Sequence, residues 1–180
     1  MKASLKKILS IDSSRTIADI AIIEVKKNPK LFTEAMDLAI KDIYPISMRA
    51  ARVVDECAEQ NPLLIEPYID EMIEKLPVFK IDGVKRGFLR FFLNSKIRLN
   101  ASQRGHLVEA CFDFLSSPPS STAIRYYSLS ILYKLSNKEK ALKPELLEAI
   151  EDGLLRNRFT HGSSVLKIRK KLYQEIQYYG

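Results

Sequence analysis

Tryptophan is absent from this chain of 180 residues, and histidine and cysteine occur only twice each. Each scarcity removes a class of function. Two cysteines, Cys57 and Cys111, cannot build the disulfide framework of a small secreted fold, and both sit among apolar residues in a helical pattern, so buried free thiols are predicted. His106 and His161 stand at no zinc-type spacing with either cysteine, and no His-x-x-x-His pair exists, so no metal site is expected. The chain has no Gly-x-Gly-x-x-Gly, no Gly-x-x-x-x-Gly-Lys and no Gly-x-Ser-x-Gly, which removes dinucleotide cradles, phosphate loops and the nucleophile elbow. No cofactor is expected. The longest apolar stretch, Ile17 to Val25, is broken by Asp19 and Glu24 and is far short of the ~20 residues a membrane span needs. The start, Met1 to Leu9, is basic but leads into no apolar core or cleavage site, so a cytoplasmic protein without membrane contact is expected.

What remains is an ordered, helix-rich composition, 46% hydrophobic and 28% charged, with 6 glycines and 8 prolines. It carries a repeat. Arg15 is followed by Asn28-Pro29 and an apolar run from Leu31 to Ile40, and Arg49 by Asn61-Pro62 and a run from Leu63 to Ile73. Arg125 is followed by Asn137 and a run from Leu142 to Ile150, and a weaker copy starts at Arg86. The four arginines are 34, 37 and 39 residues apart, the period of a helical hairpin that cannot bury its apolar faces alone and must stack on copies of itself. In the stretch from Ile46 to Cys57, Ile46, Ala50, Val53, Val54 and Cys57 form one apolar stripe. Ser47, Arg52, Asp55, Glu56 and Glu59 are expected on the opposite, solvated face. The predicted helices cover 13–27, 30–42, 45–60, 63–76, 83–95, 101–116, 121–136, 142–157 and 162–178, with no strand. Pro67 and Pro144 are each expected near a helix start, where a missing N–H is harmless.

The period, the two-helix unit and the lead into the second helix, Asp42-Ile43-Tyr44-Pro45-Ile46-Ser47-Met48-Arg49, resemble a HEAT repeat. The resemblance runs over about residues 13–178, is good at Arg49 and Arg125, and is poor at Arg86 and after Arg158. It implies an all-α fold, an α-α superhelix of about four to five hairpins in a curved array, forming one domain over residues 1–180 with 1–12 as a lead-in. It also implies that Asp42 and Arg49 belong to a structural ladder between neighbouring repeats, and that the second helix of each pair lines a concave face.

The net charge of +7 is uneven: residues 1–41 carry +3, 42–76 carry −5, 77–119 carry +4 and 120–180 carry +5. Arg49 and Arg52, Arg86 and Arg90, and Arg125 with Tyr126 and Lys134 would fall on three successive inner helices, as a basic, partly aromatic strip for an acidic peptide or a phosphate backbone. Arg86, Arg90 and Asn94 recur every four residues and should share one stripe, with Phe88, Leu89, Phe92 and Leu93 packed behind. The competing reading pairs these arginines with Asp42, Asp82 and neighbouring carboxylates. The C-terminal cluster Lys167-Ile168-Arg169-Lys170-Lys171 has the Val165, Ile168, Leu172 and Ile176 spacing of a packed capping helix.

Catalysis finds little support. Thr160-His161-Gly162-Ser163-Ser164 brings hydroxyls and an imidazole together, yet it also reads as the capped start of the last helix. The carboxylate pairs Asp70 with Glu74 and Glu148 with Asp152 lie at helical spacing on solvated faces. The chain is too short for a fumarase-type helical lyase and lacks that superfamily's Met-Pro-x-Lys-x-Asn loop. A non-catalytic scaffold for another protein or an acidic peptide is therefore expected. The alternative is a nucleic-acid-binding protein related to the HEAT-like DNA alkylation-repair glycosylases, although the indole side chains such proteins use are absent here. Oligomeric state is not legible.

Overall fold

The computed structural model describes residues 4–117, 121–159 and 163–179, and every regular element among them is helical. Helix packing groups the chain into two compact units, residues 1–103 and 104–180.

The N-terminal unit holds α1 (Leu5–Leu9), α2 (Arg15–Lys27), α3 (Lys30–Ile40), α4 (Ile46–Gln60), α5 (Ile69–Lys75) and α6 (Asp82–Asn94). The stretch read as a lead-in thus contains a helix, whose Leu5, Ile8 and Leu9 are buried. Helix α2 starts where the Ser14 side chain accepts the Ile17 N–H at 3.2 Å, and it buries Ala18, Ala21, Ile22 and Val25. Helix α4 is the centre of the unit, packed against α2, α3 and α6. Its small residues permit this: a Cβ on Gly87 of α6 would stand 3.2 Å from the Ala51 Cβ, so the two backbones approach closely. Phe88, Leu89, Phe91 and Phe92 fill the space beside that contact, each contributing on the order of 1.5–3 kcal/mol of burial.

Three differences from the sequence reading have physical causes. The helix expected over 63–76 is two 3-10 turns, Pro62–Leu64 and Glu66–Tyr68, before the short α5. Pro67 lacks an N–H and disfavours helical geometry at Glu66, so α-helix begins only after it. Ser47, expected on the solvated face of α4, is buried. Asp42 ends α3 in the left-handed region (φ 54°), and the Ser47 hydroxyl accepts the Ile43 N–H at 2.8 Å while donating to the Leu38 carbonyl. The hydroxyl bridges the two backbone groups that a Schellman cap would bond directly. Asp55, the third, is also buried, for the reason given below.

The C-terminal unit contains α8 (Thr122–Ser136), α9 (Leu142–Leu155) and α10 (Ser163–Tyr179), with most of α7 (Ala101–Ser116), which begins just before the unit boundary. Helix α9 packs on both α8 and α10. Its end is a Schellman cap: Asn157 is left-handed (φ 53°), its N–H reaches the Leu154 carbonyl at 3.2 Å, and the Arg158 N–H reaches Gly153 at 2.8 Å. The turn lays Phe159 directly over Gly153, where a Cβ would be 2.1 Å from the ring. Leu172 and Val165 of α10 are buried, whereas Lys167, Lys170 and Lys171 are exposed.

Candidate functional site

The repeat places Arg15, Arg49, Arg86 and Arg125 in the first or second turn of α2, α4, α6 and α8. Their partners differ. Arg49 donates from Nε to the Ser13 hydroxyl at 2.9 Å and from Nη1 to the Leu9 carbonyl at 2.6 Å, so it ties α4 to the turn before α2. Asp42, at the turn before α4, accepts the backbone N–H groups of Lys80 at 2.6 Å and Ile81 at 3.1 Å, immediately before α6. These bonds join segments 36 to 40 residues apart, the length of one repeat. Arg86 is exposed, and among the described residues it has no hydrogen-bond or ion-pair partner.

Between α4 and α6 lies an ion pair whose carboxylate is buried and whose guanidinium is half-exposed. The Asp55 carboxylate, 3% exposed, accepts from Nε of Arg90. Burial lifts its pKa from the ordinary 3.8 to about 6, against the pull of the Arg90 guanidinium. Asp55 had been placed on the solvated face because a single-helix wheel cannot show that α4 has neighbours on more than one side. Beside it Arg52 pairs with Glu56 at 3.2 Å, and Arg15 reaches the same carboxylate at 3.0 Å and Asp19 at 2.8 Å. These exposed pairs carry about 0–1 kcal/mol each.

In the C-terminal unit, Arg125 donates from Nη1 to the Arg158 carbonyl at 3.1 Å, and its Nε is buried without a partner. No carboxylate lies within ion-pair distance of it among the described residues. Tyr126 is 44% exposed and meets Tyr127 edge-on at 5.4 Å. A cleft of about 370 Å³ opens here, walled by Arg125, Tyr126, Tyr127, Arg158, Phe159 and Val165. Lys134, further along α8, is exposed, and its pKa is lowered by partial desolvation of its amine and by the charge of Lys138. Lys143 is buried and bonded to Glu175 at 2.9 Å, and the Tyr133 hydroxyl donates to the same carboxylate at 2.8 Å.

A family model described as HEAT repeat domain matches residues 1–176. The chain belongs to the HEAT repeat domain family. No curated protein and no solved structure matches it.

Within this HEAT repeat domain the residues considered for chemistry are dispersed. His106 is exposed on α7, while Thr160, His161 and Gly162 lie outside the described residues. Asp70 accepts from Gln103 at 2.8 Å, and Asp152 pairs with Arg156 at 2.7 Å and with Arg158, so neither faces its supposed partner carboxylate alone. Among the described residues no group of three His, Cys, Asp or Glu side chains could hold a metal ion, and no helix is long and apolar enough to cross a membrane. Cys57 and Cys111 are buried free thiols, pushed up by burial to about 11 and about 12, which leaves them protonated and unreactive near neutrality. Arg158 and Phe159 were missed as cleft residues. The available signal was Asn157, a residue suited to a left-handed helix end, which turns the chain so that the Arg158 carbonyl meets Arg125 and the Phe159 ring seats on Gly153.

Proposed function

We propose that this HEAT repeat domain is a non-catalytic scaffold that binds acidic segments of another protein through basic and aromatic side chains of its second helices, with α4 and α6 acting in the N-terminal unit and α8 in the C-terminal unit. The observation that carries the reading is a division of labour among the basic residues. Arg49, Arg52 and Arg90 are engaged within the fold, whereas among the described residues Arg86 is exposed without a partner and Arg125 has no carboxylate. Cationic groups left uncommitted on a surface attract carboxylates over several ångströms without first having to break an ion pair within the fold. The ladder formed by Asp42 and Arg49 then serves to hold the repeats in register.

The test is fluorescence anisotropy with a labelled peptide rich in Glu and Leu and with an oligonucleotide of equal charge, at two salt concentrations. Arg86→Ala/Tyr126→Ala should weaken peptide binding and flatten its salt dependence while leaving the melting temperature unchanged. Equal binding by parent and variant would refute the assignment. Tighter binding of the oligonucleotide than of the peptide, at both salt concentrations, would favour a nucleic-acid partner drawn by the +7 charge.

A further inference from the structure

We propose that the cleft between the start of α8 and the start of α10 is the binding site for an apolar carboxylate: in a protein partner, an acidic residue beside an aromatic or branched aliphatic one. The proposal rests on the scaffold reading and specifies one of its contact points. The cleft is cationic without being neutralised. Arg125 is partly buried, uses one donor on a backbone carbonyl, and has no carboxylate in reach among the described residues, while Arg158 across the cleft is paired with Asp152. None of the described lining residues is acidic. A guanidinium withdrawn from water without a counter-charge is costly, and a bound carboxylate would remove that cost through a charge-assisted hydrogen bond.

The rest of the cleft limits what can carry the carboxylate. Tyr126, Tyr127, Phe159 and Val165 supply apolar walls, and the volume of about 370 Å³ is at the lower end for ligand pockets, enough for one or two side chains. Phe159 is held by the Schellman turn and by its seat on Gly153, so the wall is preformed. Thr122 and Ala123 open α8 and Ser164 and Val165 open α10, so two long helices direct their N-terminal ends to the same space and add positive potential. A bare phosphate would leave the aromatic walls unused, and an uncharged apolar side chain would leave Arg125 unpaired.

The experiment uses three small probes on the full chain, read by amide chemical shifts in nuclear magnetic resonance. They are 3-phenylpropionate, 3-phenylpropanol and acetate, each at millimolar concentration. Phenylpropionate should shift the amides around Tyr126, Phe159 and Ser164 and bind about tenfold tighter than the alcohol, as expected for one charge-assisted contact. Acetate should bind far more weakly. Arg125→Gln should abolish the preference for acid over alcohol, Arg125→Lys should keep part of it, and Tyr126→Ala should weaken both aromatic probes. If Arg125→Gln does not fold, the parent comparison and Tyr126→Ala decide. Shifts located elsewhere, equal affinity for acid and alcohol, or no shift at all would overturn the proposal. Failure of the probes while the acidic peptide still binds removes the cleft and leaves the scaffold, whereas failure of both removes both.

Discussion

Replacing Asp55 by asparagine should make this protein more stable at neutral pH, although Asp55 is the buried partner of an ion pair. A carboxyl whose pKa rises from 3.8 to about 6 on folding binds its proton more tightly in the folded state. Its contribution is therefore unpenalised below pH 3.8, declines as pH rises toward about 6, and is fully unfavourable above that. The difference amounts to ~3 kcal/mol at pH 7, with the attraction of Arg90 already included. Asparagine keeps the shape and an acceptor for the Arg90 guanidinium without the buried charge. Asp55→Asn should gain ~2–3 kcal/mol at pH 7 and little at pH 4, measured by urea unfolding at each pH. Arg90→Ala acts in the opposite direction: it leaves the carboxylate buried and unpaired, a loss of ~1–3 kcal/mol at pH 7 that narrows toward pH 5 as Asp55 takes up a proton. An Asp55→Asn protein destabilised at pH 7, or one with the pH dependence of its parent, would show that the carboxylate is better solvated than its position between α4 and α6 implies.

The other expectations concern the joints of the repeat. Asp42→Ala removes the acceptor of two backbone N–H groups and sets alanine in a left-handed backbone, so a loss of ~2–4 kcal/mol is expected in urea unfolding, and Asp42→Asn should lose less than half of that. Cys57→Asp buries a carboxylate at a position 4% exposed, with a loss of several kcal/mol, and an unchanged melting temperature would mean that the face of α4 is misassigned. Gly153→Ala gains ~0.5–1 kcal/mol of helix propensity but forces the Phe159 ring aside at a cost of ~1–3 kcal/mol, so calorimetry should show a net loss and the cleft amides should shift.

How far the sequence reached depended on whether a feature was local. The stripe on α4, the turn at Asn28-Pro29 and the arginine period are written in the sequence itself, and they were legible. Within 63–76 the apolar spacing was read as one helix, but two prolines five residues apart outweighed periodicity. Ser47 and Asp55 looked like surface residues because their partners, the Leu38 carbonyl and Arg90, lie on other helices. The same holds for the cleft: Arg125 and Tyr126 stood out as a basic and aromatic pair, while Phe159 becomes their neighbour only through the turn at Asn157. Arg49 was given to the ladder by the resemblance, but the committed Arg90 could not be told from the uncommitted Arg86 without the packing of α4 against α6.

Hydrogen exchange of the full chain, with and without the acidic peptide, addresses the central claim most directly. Binding through the second helices predicts new protection in residues 46–60, 82–94 and 122–136, strongest near Arg86 and Arg125, with the first helices of those pairs, at 30–40, 69–75 and 101–116, unchanged. Protection confined to those first helices, or none at peptide concentrations that saturate binding, would contradict it.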